Sequence, residues 1–264
     1  FIDDDAPKEL HRHLLEDLRT DHRIFAIARR SQRECGAPVD PNIAWMTVDV
    51  GDFEDLARTF REIASAGGAR CIIHMAAYYD FTGDPHPEYQ RTNIEGTRNL
   101  LRLARELQVD RFVFASSVAA CHFPRTDGPV HENTPADGRH VYAWSKREGE
   151  QLVRECRDLR TCIVSFGAVF SDWCEYPPLY MFLRTWLGRG WRSRTLPGRG
   201  GMAIPYIHVR DVVRCLRRLL ELDATLGPAE QLTATTPGST SLRTLYDLAV
   251  RHYFGRPGRP ILVP

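Results

Sequence analysis

The stretch RCIIHMAAYYDFTGDPHPEYQRTNIEGTRNLLRLARELQVDRFVFAS, residues 70–116, decides the fold. It opens on an apolar run, RCIIHM (70–75), and passes into a helical pattern from about 88 to 108. It then returns to a second apolar run, RFVFAS (111–116). Strands this continuously apolar are buried on both faces, as in a parallel sheet covered by helices. Working outward, RIFAIA (23–28) and IAWMTVD (43–49) read as strands, with a helix near 53–65. Downstream, a helix from about 142 to 157 precedes the strand TCIVSF (161–166). Alternating strands and helices with short links predict an α/β fold with a doubly wound parallel sheet.

After residue 166 the rhythm breaks. SDWCEYPPLY (171–180) is rich in aromatics and proline, and a short helical run (179–188) leads into the loop TLPGRGG (195–201). A strand at 204–208, a helix at about 209–222, a strand near 230–235 and a helix at about 241–253 follow. The expected organisation is a core over 1–166 and a smaller lobe over 167–264, with 204–235 returning to the core. In this architecture ligands bind beyond the carboxyl ends of the strands. The closing stretch FGRPGRPILVP reads as a truncation point.

The composition excludes several classes. With 264 residues the chain can bury a sizeable core without staples. A net charge of +1 gives no global field to recruit nucleic acid or a membrane surface, and no known nucleic-acid motif is visible. No apolar run approaches the roughly 20 residues of a membrane span. Seven scattered cysteines without a CxxC pair read as reduced thiols of a cytoplasmic protein, neither a disulfide framework nor a metal site.

Lysine occurs only at Lys8 and Lys146, although the chain holds 35 basic residues. Lys146 stands four positions after Tyr142 in HVYAWSKREGEQLV (140–153), so the two side chains share one helix face. A phenol with its ordinary pKa of about 10 is a poor acid–base group near neutrality. A neighbouring ammonium favours the phenolate, and its compact head of three donors suits a crowded site better than a guanidinium fork.

Ahead of that pair lie IIHMAA (72–77), RTNIEGTRNLL (91–101) and FVFASSVAAC (112–121), in that order. The ordered series over about residues 20 to 235 resembles the extended short-chain dehydrogenase/reductase family, which includes nucleotide-sugar epimerases and hydroxysteroid-dehydrogenase-like reductases. The resemblance implies a Rossmann-type dinucleotide-binding core and a catalytic set. Tyr142 matches the proton-transferring tyrosine, and Lys146 the lysine that holds the nicotinamide ribose. Ser117 matches the hydroxyl that binds the reacting oxygen, with Ser116 the fallback one position earlier. Asn93 matches the asparagine supporting the lysine. Met75, Ala76 and Ala77 match the strand end that passes close to the cofactor. Asp49 and Val50 resemble the pair that contacts the adenine. The helices at 88–108 and 142–157 resemble those of a four-helix homodimer interface. His74, His122, His140 and His208 read as satisfied core histidines.

Cofactor choice is read at the end of the strand RIFAIA, where an acid would favour NAD. Arg29 and Arg30 stand there instead, and they favour the 2′-phosphate of NADP, with NAD the alternative. Two departures from the family pattern are visible. The glycine-rich turn that cradles a pyrophosphate has no counterpart here. Phe1-Ile2 is followed by Asp3, Asp4 and Asp5, which would repel phosphate. Either the sequence lacks a first strand and its loop, the reading preferred here, or the site is degenerate. On the substrate side, Ile204 stands where nucleotide-sugar enzymes carry an arginine, and Phe170-Ser171-Asp172-Trp173 replaces the usual Tyr-Gly.

The aromatics Tyr79, Phe81, Trp173 and Tyr176 point to a less polar substrate. The arginine-rich run 184–200 suits an anionic substrate tail or an acidic partner. The expectation is an NADP-linked oxidoreductase acting on a ketone or secondary alcohol. A nucleotide-sugar epimerase or dehydratase with tightly held NAD, and a non-catalytic dinucleotide-binding domain, are the alternatives.

Overall fold

The computed structural model describes residues 8–122, 129–174, 176–198, 200–238 and 240–263. In chain order the elements are α1 (Lys8–Leu18), β1 (Ile24–Ala28), β2 (Ile43–Thr47), α2 (Phe53–Ser65) and β3 (Cys71–His74). A π-helical segment (Tyr89–Glu95) runs into α3 (Gly96–Glu106), followed by β4 (Arg111–Ser117), α4 (Val141–Glu155) and β5 (Thr161–Phe166). Next come β6 (Ala168–Phe170), α5 (Pro177–Trp186), β7 (Thr195–Pro197), β8 (Ala203–Ile204) and β9 (Tyr206–His208). The chain ends with α6 (Val209–Leu222), β10 (Ala229–Ala234), β11 (Thr240–Ser241), α7 (Leu242–Phe254) and β12 (Ile261–Val263).

The chain forms two compact units. The first runs up to Phe166 and takes back Arg210–Ala234; the second comprises Gly167–Val209 and the residues from Thr235 on. The return to the first unit is therefore shorter than the 204–235 read from sequence. Pro205, which has no N–H to give a ladder, separates β8 from β9 within that expected strand.

The first unit is a Rossmann-type parallel α/β fold. Its ladders are β1–β2 and β3–β4–β5–β10, and every pair is parallel. All six residues of β5 are buried, as a strand covered on both faces requires. Alternate residues of β1 serve opposite faces. Ile27 packs in a cluster with Phe60, Leu100, Phe112 and Ile163, while Ala26 and Ala28 pack with Leu15 and Ile43. The Asp52 carboxylate starts α2 by accepting the Asp55 N–H at 3.1 Å. The helix expected over 88–108 is real but not uniform, because its first two turns are π-wound.

A cavity of about 470 Å³ lies in this unit, lined by Ile24–Ile27, by Cys71–Ile73 and by His11, Leu14 and Leu18 of α1. His11 is 2 % exposed, and neither ring nitrogen has a hydrogen-bond partner among the described residues. Burial, aided by the Arg30 charge, pushes its pKa down to about 3. The unfolded chain takes up this proton near pH 6.5, whereas the folded chain refuses it until about pH 3. The folded-state pKa is depressed, so this contribution is fully present above pH 6.5 and is lost as pH falls between the two values. The loss is up to about 1.4 kcal/mol per pH unit. His11→Leu is expected to flatten the decline of stability over this window. It should also raise Tm at pH 7 by about 2–4 °C, by removing an unsatisfied buried polar group. Denaturant titrations from pH 7 to 4 check this; parallel profiles for variant and wild type would refute it.

In the second unit β6 pairs with β9 and β7 with β12, both parallel, and β8 pairs antiparallel with β11. Trp186, Leu196, Leu242, Tyr246 and Val250 form its core. The arginine-rich run thus has a buried Trp186 and, in Trp191, a side chain 69 % exposed; Arg199 lies outside the described residues. Gly255 closes α7 in the left-handed conformation, φ 67°. Among the described residues no helix is long and apolar enough to cross a membrane.

Candidate functional site

Helix α4 delivers Tyr142 and Lys146 on one face, one turn apart. His140 caps it by accepting the Ala143 N–H at 3.2 Å. Gly149 lets the helix approach β4: a Cβ there would come within 2.7 Å of the Phe114 ring. At that spacing Lys146, 4 % exposed, donates from Nζ to the Ala115 carbonyl at 2.9 Å. Its ammonium lies 5.1 Å from the Phe114 ring centroid and 5.9 Å from that of Tyr142. A buried ammonium is costly unless it is bonded, and these contacts hold it in place.

The end of β4 carries the two serines in different roles. Ser116 is buried, and its hydroxyl donates to the Glu150 carboxylate of α4. Ser117 is half-buried, and its Oγ accepts the Ala119 N–H at 3.1 Å, capping the turn Val118–Ala120. A hydroxyl that accepts from backbone keeps its own proton to donate. Glu150 also accepts from Arg154 at 2.7 Å. Tyr142, Lys146 and Glu150 thus follow at i, i+4 and i+8, a helical spacing that the sequence reading did not use to find Glu150.

Asn93, 3 % exposed within the π-helical segment, ties two elements together. Its Oδ1 accepts the Tyr78 N–H at 2.6 Å, and its Nδ2 donates to the Tyr78 carbonyl at 3.0 Å and to Ser145 Oγ at 2.8 Å. Ser145 in turn donates to the Tyr142 carbonyl at 2.8 Å. The segment leaving β3 is thereby fastened to the helix bearing Tyr142, and Ser145 was not singled out in the sequence.

Met75 and Ala76 are buried and Ala77 half-buried in that same segment. Beyond it, Tyr79 packs on Tyr142 with ring centroids 4.5 Å apart, and Phe81, 49 % exposed, packs on Tyr79 at 4.5 Å. Trp173 and Tyr176 belong to the second unit. Trp173 is 76 % exposed, and Tyr176 lies 6.2 Å from the Tyr206 ring, its phenol pKa raised by burial.

At the carboxyl ends of β1 and β2, Arg29, one of the two arginines read from sequence as suiting a 2′-phosphate, enters an ion network. Arg29 donates to Glu88 at 3.2 Å. Arg91 spans Glu88, at 2.6 and 2.9 Å, and Asp49, at 2.8 Å. The Arg30 carbonyl accepts from the Trp45 indole at 3.0 Å. Val50 is buried, its carbonyl bonded by Asn99 at 3.0 Å. Phe1 to Asp5 lie outside the described residues.

His74 is a core histidine, bonded from Nε2 to Thr97 Oγ1 at 2.8 Å; burial, with Lys146 nearby, holds its pKa well below the usual range. His122 and His140 are instead exposed, contrary to the reading from sequence, and His208 is half-buried and pairs with Asp172 at 3.3 Å. Their segments lie at loop and helix starts, where an imidazole reaches water. Burial pushes the thiols of Cys71 and Cys162 up to about 12, which makes them inert rather than nucleophilic.

A parallel α/β core with a tyrosine and a buried lysine on one helix, beside a strand that ends in serine, is a Rossmann-type fold. The sequence profile of the NAD dependent epimerase/dehydratase family matches residues 10–232. The chain belongs to that family of enzymes, within the extended short-chain dehydrogenases/reductases. It is 24 % identical over 233 residues to a putative UDP-glucose 4-epimerase of Methanocaldococcus jannaschii, covering 84 % of this chain and 72 % of that one. It is 28 % identical over 217 residues to a putative dihydroflavonol 4-reductase of Synechocystis, covering 77 % of this chain but 56 % of the relative. A 3 beta-hydroxysteroid dehydrogenase/Delta 5-->4-isomerase of vaccinia virus is 29 % identical over 140 residues, or 51 % of this chain and 38 % of the viral one.

Two solved structures share the fold. The NAD complex of Thermus thermophilus UDP-glucose 4-epimerase gives a TM-score of 0.73 at 21 % identity, covering 97 % of this chain and 82 % of that one. The Thermotoga maritima UDP-glucose 4-epimerase with UDP-glucose gives 0.75 at 20 % identity, with the same coverage.

Proposed function

We propose that the chain is an NAD(P)-dependent oxidoreductase acting on a ketone or secondary alcohol through Ser117, Tyr142 and Lys146. The observation that carries this is the fixed geometry of Lys146: its ammonium is locked to the Ala115 carbonyl, one turn from Tyr142 and two residues from Ser117. The residues present fit the nicotinamide-ribose end of a dinucleotide, since an ammonium with three rotatable donors is held on the same helix face as Tyr142, one turn away. The adenine end is assigned to Asp49 and Val50, and the close approach past β3 to Met75, Ala76 and Ala77.

When bound, the dinucleotide supplies hydride transfer. Ser117 donates its hydroxyl proton in a hydrogen bond to the substrate oxygen and orients it. Tyr142 passes its phenolic proton to that oxygen in reduction, or takes one in oxidation. Lys146 stabilises the phenolate that remains, by charge. Asn93 and Ser145 hold the backbone on which Tyr142 sits.

The wall beside Tyr142 supports this substrate class. Tyr79 and Phe81 present aromatic faces, which favour an apolar, flat carbonyl compound over a sugar. The likeness to a putative dihydroflavonol 4-reductase and to a 3 beta-hydroxysteroid dehydrogenase supports the same reading. The second reading, a nucleotide-sugar epimerase or dehydratase that returns its hydride, is favoured by the Methanocaldococcus relative, whose match covers 84 % of this chain. One assay separates them. Absorbance at 340 nm is followed with NADH or NADPH and a panel of flavonoid and steroid ketones, and UDP-glucose conversion is followed by chromatography. Stoichiometric loss of absorbance with a ketone is expected. Sugar conversion without net loss of reduced nucleotide would replace the first reading with the second.

A further inference from the structure

The arginine pair after β1 reads as a 2′-phosphate site only if its charge is available to a phosphate. Arg29 instead donates to Glu88, whose side chain is 19 % exposed. Glu88 is saturated: Oε1 takes Arg91 Nε at 2.6 Å, and Oε2 takes Arg91 Nη2 at 2.9 Å, Thr92 Oγ1 at 2.8 Å and Arg29 Nη1 at 3.2 Å. The charge-assisted bonds from Arg91 and Arg29, with that from Thr92, keep this carboxyl below the usual carboxylate range. Through Arg91 the network continues to Asp49, which also accepts the Gly51 N–H at 2.7 Å. Residues beyond β1 and beyond β2 are therefore joined by an anion at the carboxyl ends of two adjacent parallel strands, where ligands bind in such sheets.

We infer that Glu88 is a cofactor-specificity residue that biases this site towards NAD and against NADP. The inference rests on the dinucleotide reading above and deepens it. A phosphate on the adenosine ribose would compete with Glu88 for the guanidinium donors of Arg29 and Arg91. Approaching with Glu88 still in place, it would meet a like charge at short range in a partly buried setting. A ribose 2′-hydroxyl carries no such penalty, and Asp49 remains as an acceptor. Removing the Glu88 charge takes one anion away from Arg29 and leaves Arg91 with Asp49, so a phosphate arriving there no longer competes with Glu88.

The test is a fluorescence titration of NADH and NADPH against the full-length protein, as wild type, Glu88→Gln and Glu88→Ala. Wild type is expected to bind NADH more tightly. Both variants should shift the ratio of dissociation constants towards NADPH by about tenfold. Gln keeps a group that can accept from Thr92 whereas Ala does not, so a shift shared by both variants excludes a local repacking effect. Circular dichroism melts accompany each titration to show that the variants are folded. Nucleotide binding with an unchanged ratio in the folded variants overturns the inference and leaves the dinucleotide reading standing. Tighter binding of NADPH than NADH by wild type also overturns it. Binding of neither nucleotide by wild type overturns the dinucleotide reading, and the inference with it.

Discussion

Tyr142→Phe loses turnover by about a thousandfold while reduced-nucleotide affinity stays within about twofold of wild type; this is the largest effect expected of any single substitution in the chain. General acid–base groups contribute roughly 10²–10⁴ in rate, and the phenolic proton is the one assigned to the reacting oxygen. The ring itself is needed for packing, because Tyr79 lies 4.5 Å from its centroid. Phenylalanine keeps that contact, the turn of α4 and the Ser145 bond to the residue-142 carbonyl. Loss of rate at constant nucleotide affinity and Tm would therefore isolate the hydroxyl. Single-turnover rates with excess enzyme, alongside nucleotide titrations, provide the measurement. A variant that retains more than about a tenth of wild-type rate sinks the assignment, whichever substrate is used.

The local periodicity of the sequence carried most of the core. β5, α2 and α4 fall within a residue or two of their expected spans because each has a strong apolar pattern or a cap. The π-winding at Tyr89–Glu95 was not legible, since the apolar spacing of RTNIEGTRNLL suits either winding over so few turns. The Tyr142–Lys146 spacing was readable because it is local, four residues on one helix. Glu150 shares that face and was passed over, since its partner Ser116 lies 34 residues away and only the fold brings the two together. The same holds at the other end of the site. Arg29 and Glu88 are 59 residues apart, so one of the two arginines that look like a phosphate site in the sequence, Arg29, becomes part of an ion network once β1 and the π-helical segment meet. Sequence shows which charges exist; it does not show which are already paired.

Lys146→Arg is the sharper test of why a chain so rich in arginine retains a lysine at this position. The Lys146 side chain is buried between α4 and β4, its Nζ 2.9 Å from the Ala115 carbonyl and 5.1 Å from the Phe114 ring centroid. Gly149 already brings the helix as close to Phe114 as it can come, since even a Cβ there would clash. A guanidinium is a broad planar fork, and overpacking of this kind costs about 1–3 kcal/mol. The helix would have to move outward, carrying Tyr142 with it. Charge is retained in this variant and geometry is not, so a rate lost by more than about a hundredfold would assign the role to the placement of the ammonium. Lys146→Met, which keeps the stem and discards the charge, should lose at least as much and also weaken nucleotide binding by about tenfold. Steady-state rates, nucleotide titrations and melting curves on the two variants separate these effects. If Lys146→Arg turns over at more than half the wild-type rate, the site needs only a positive charge, and the persistence of lysine at this position has no catalytic explanation.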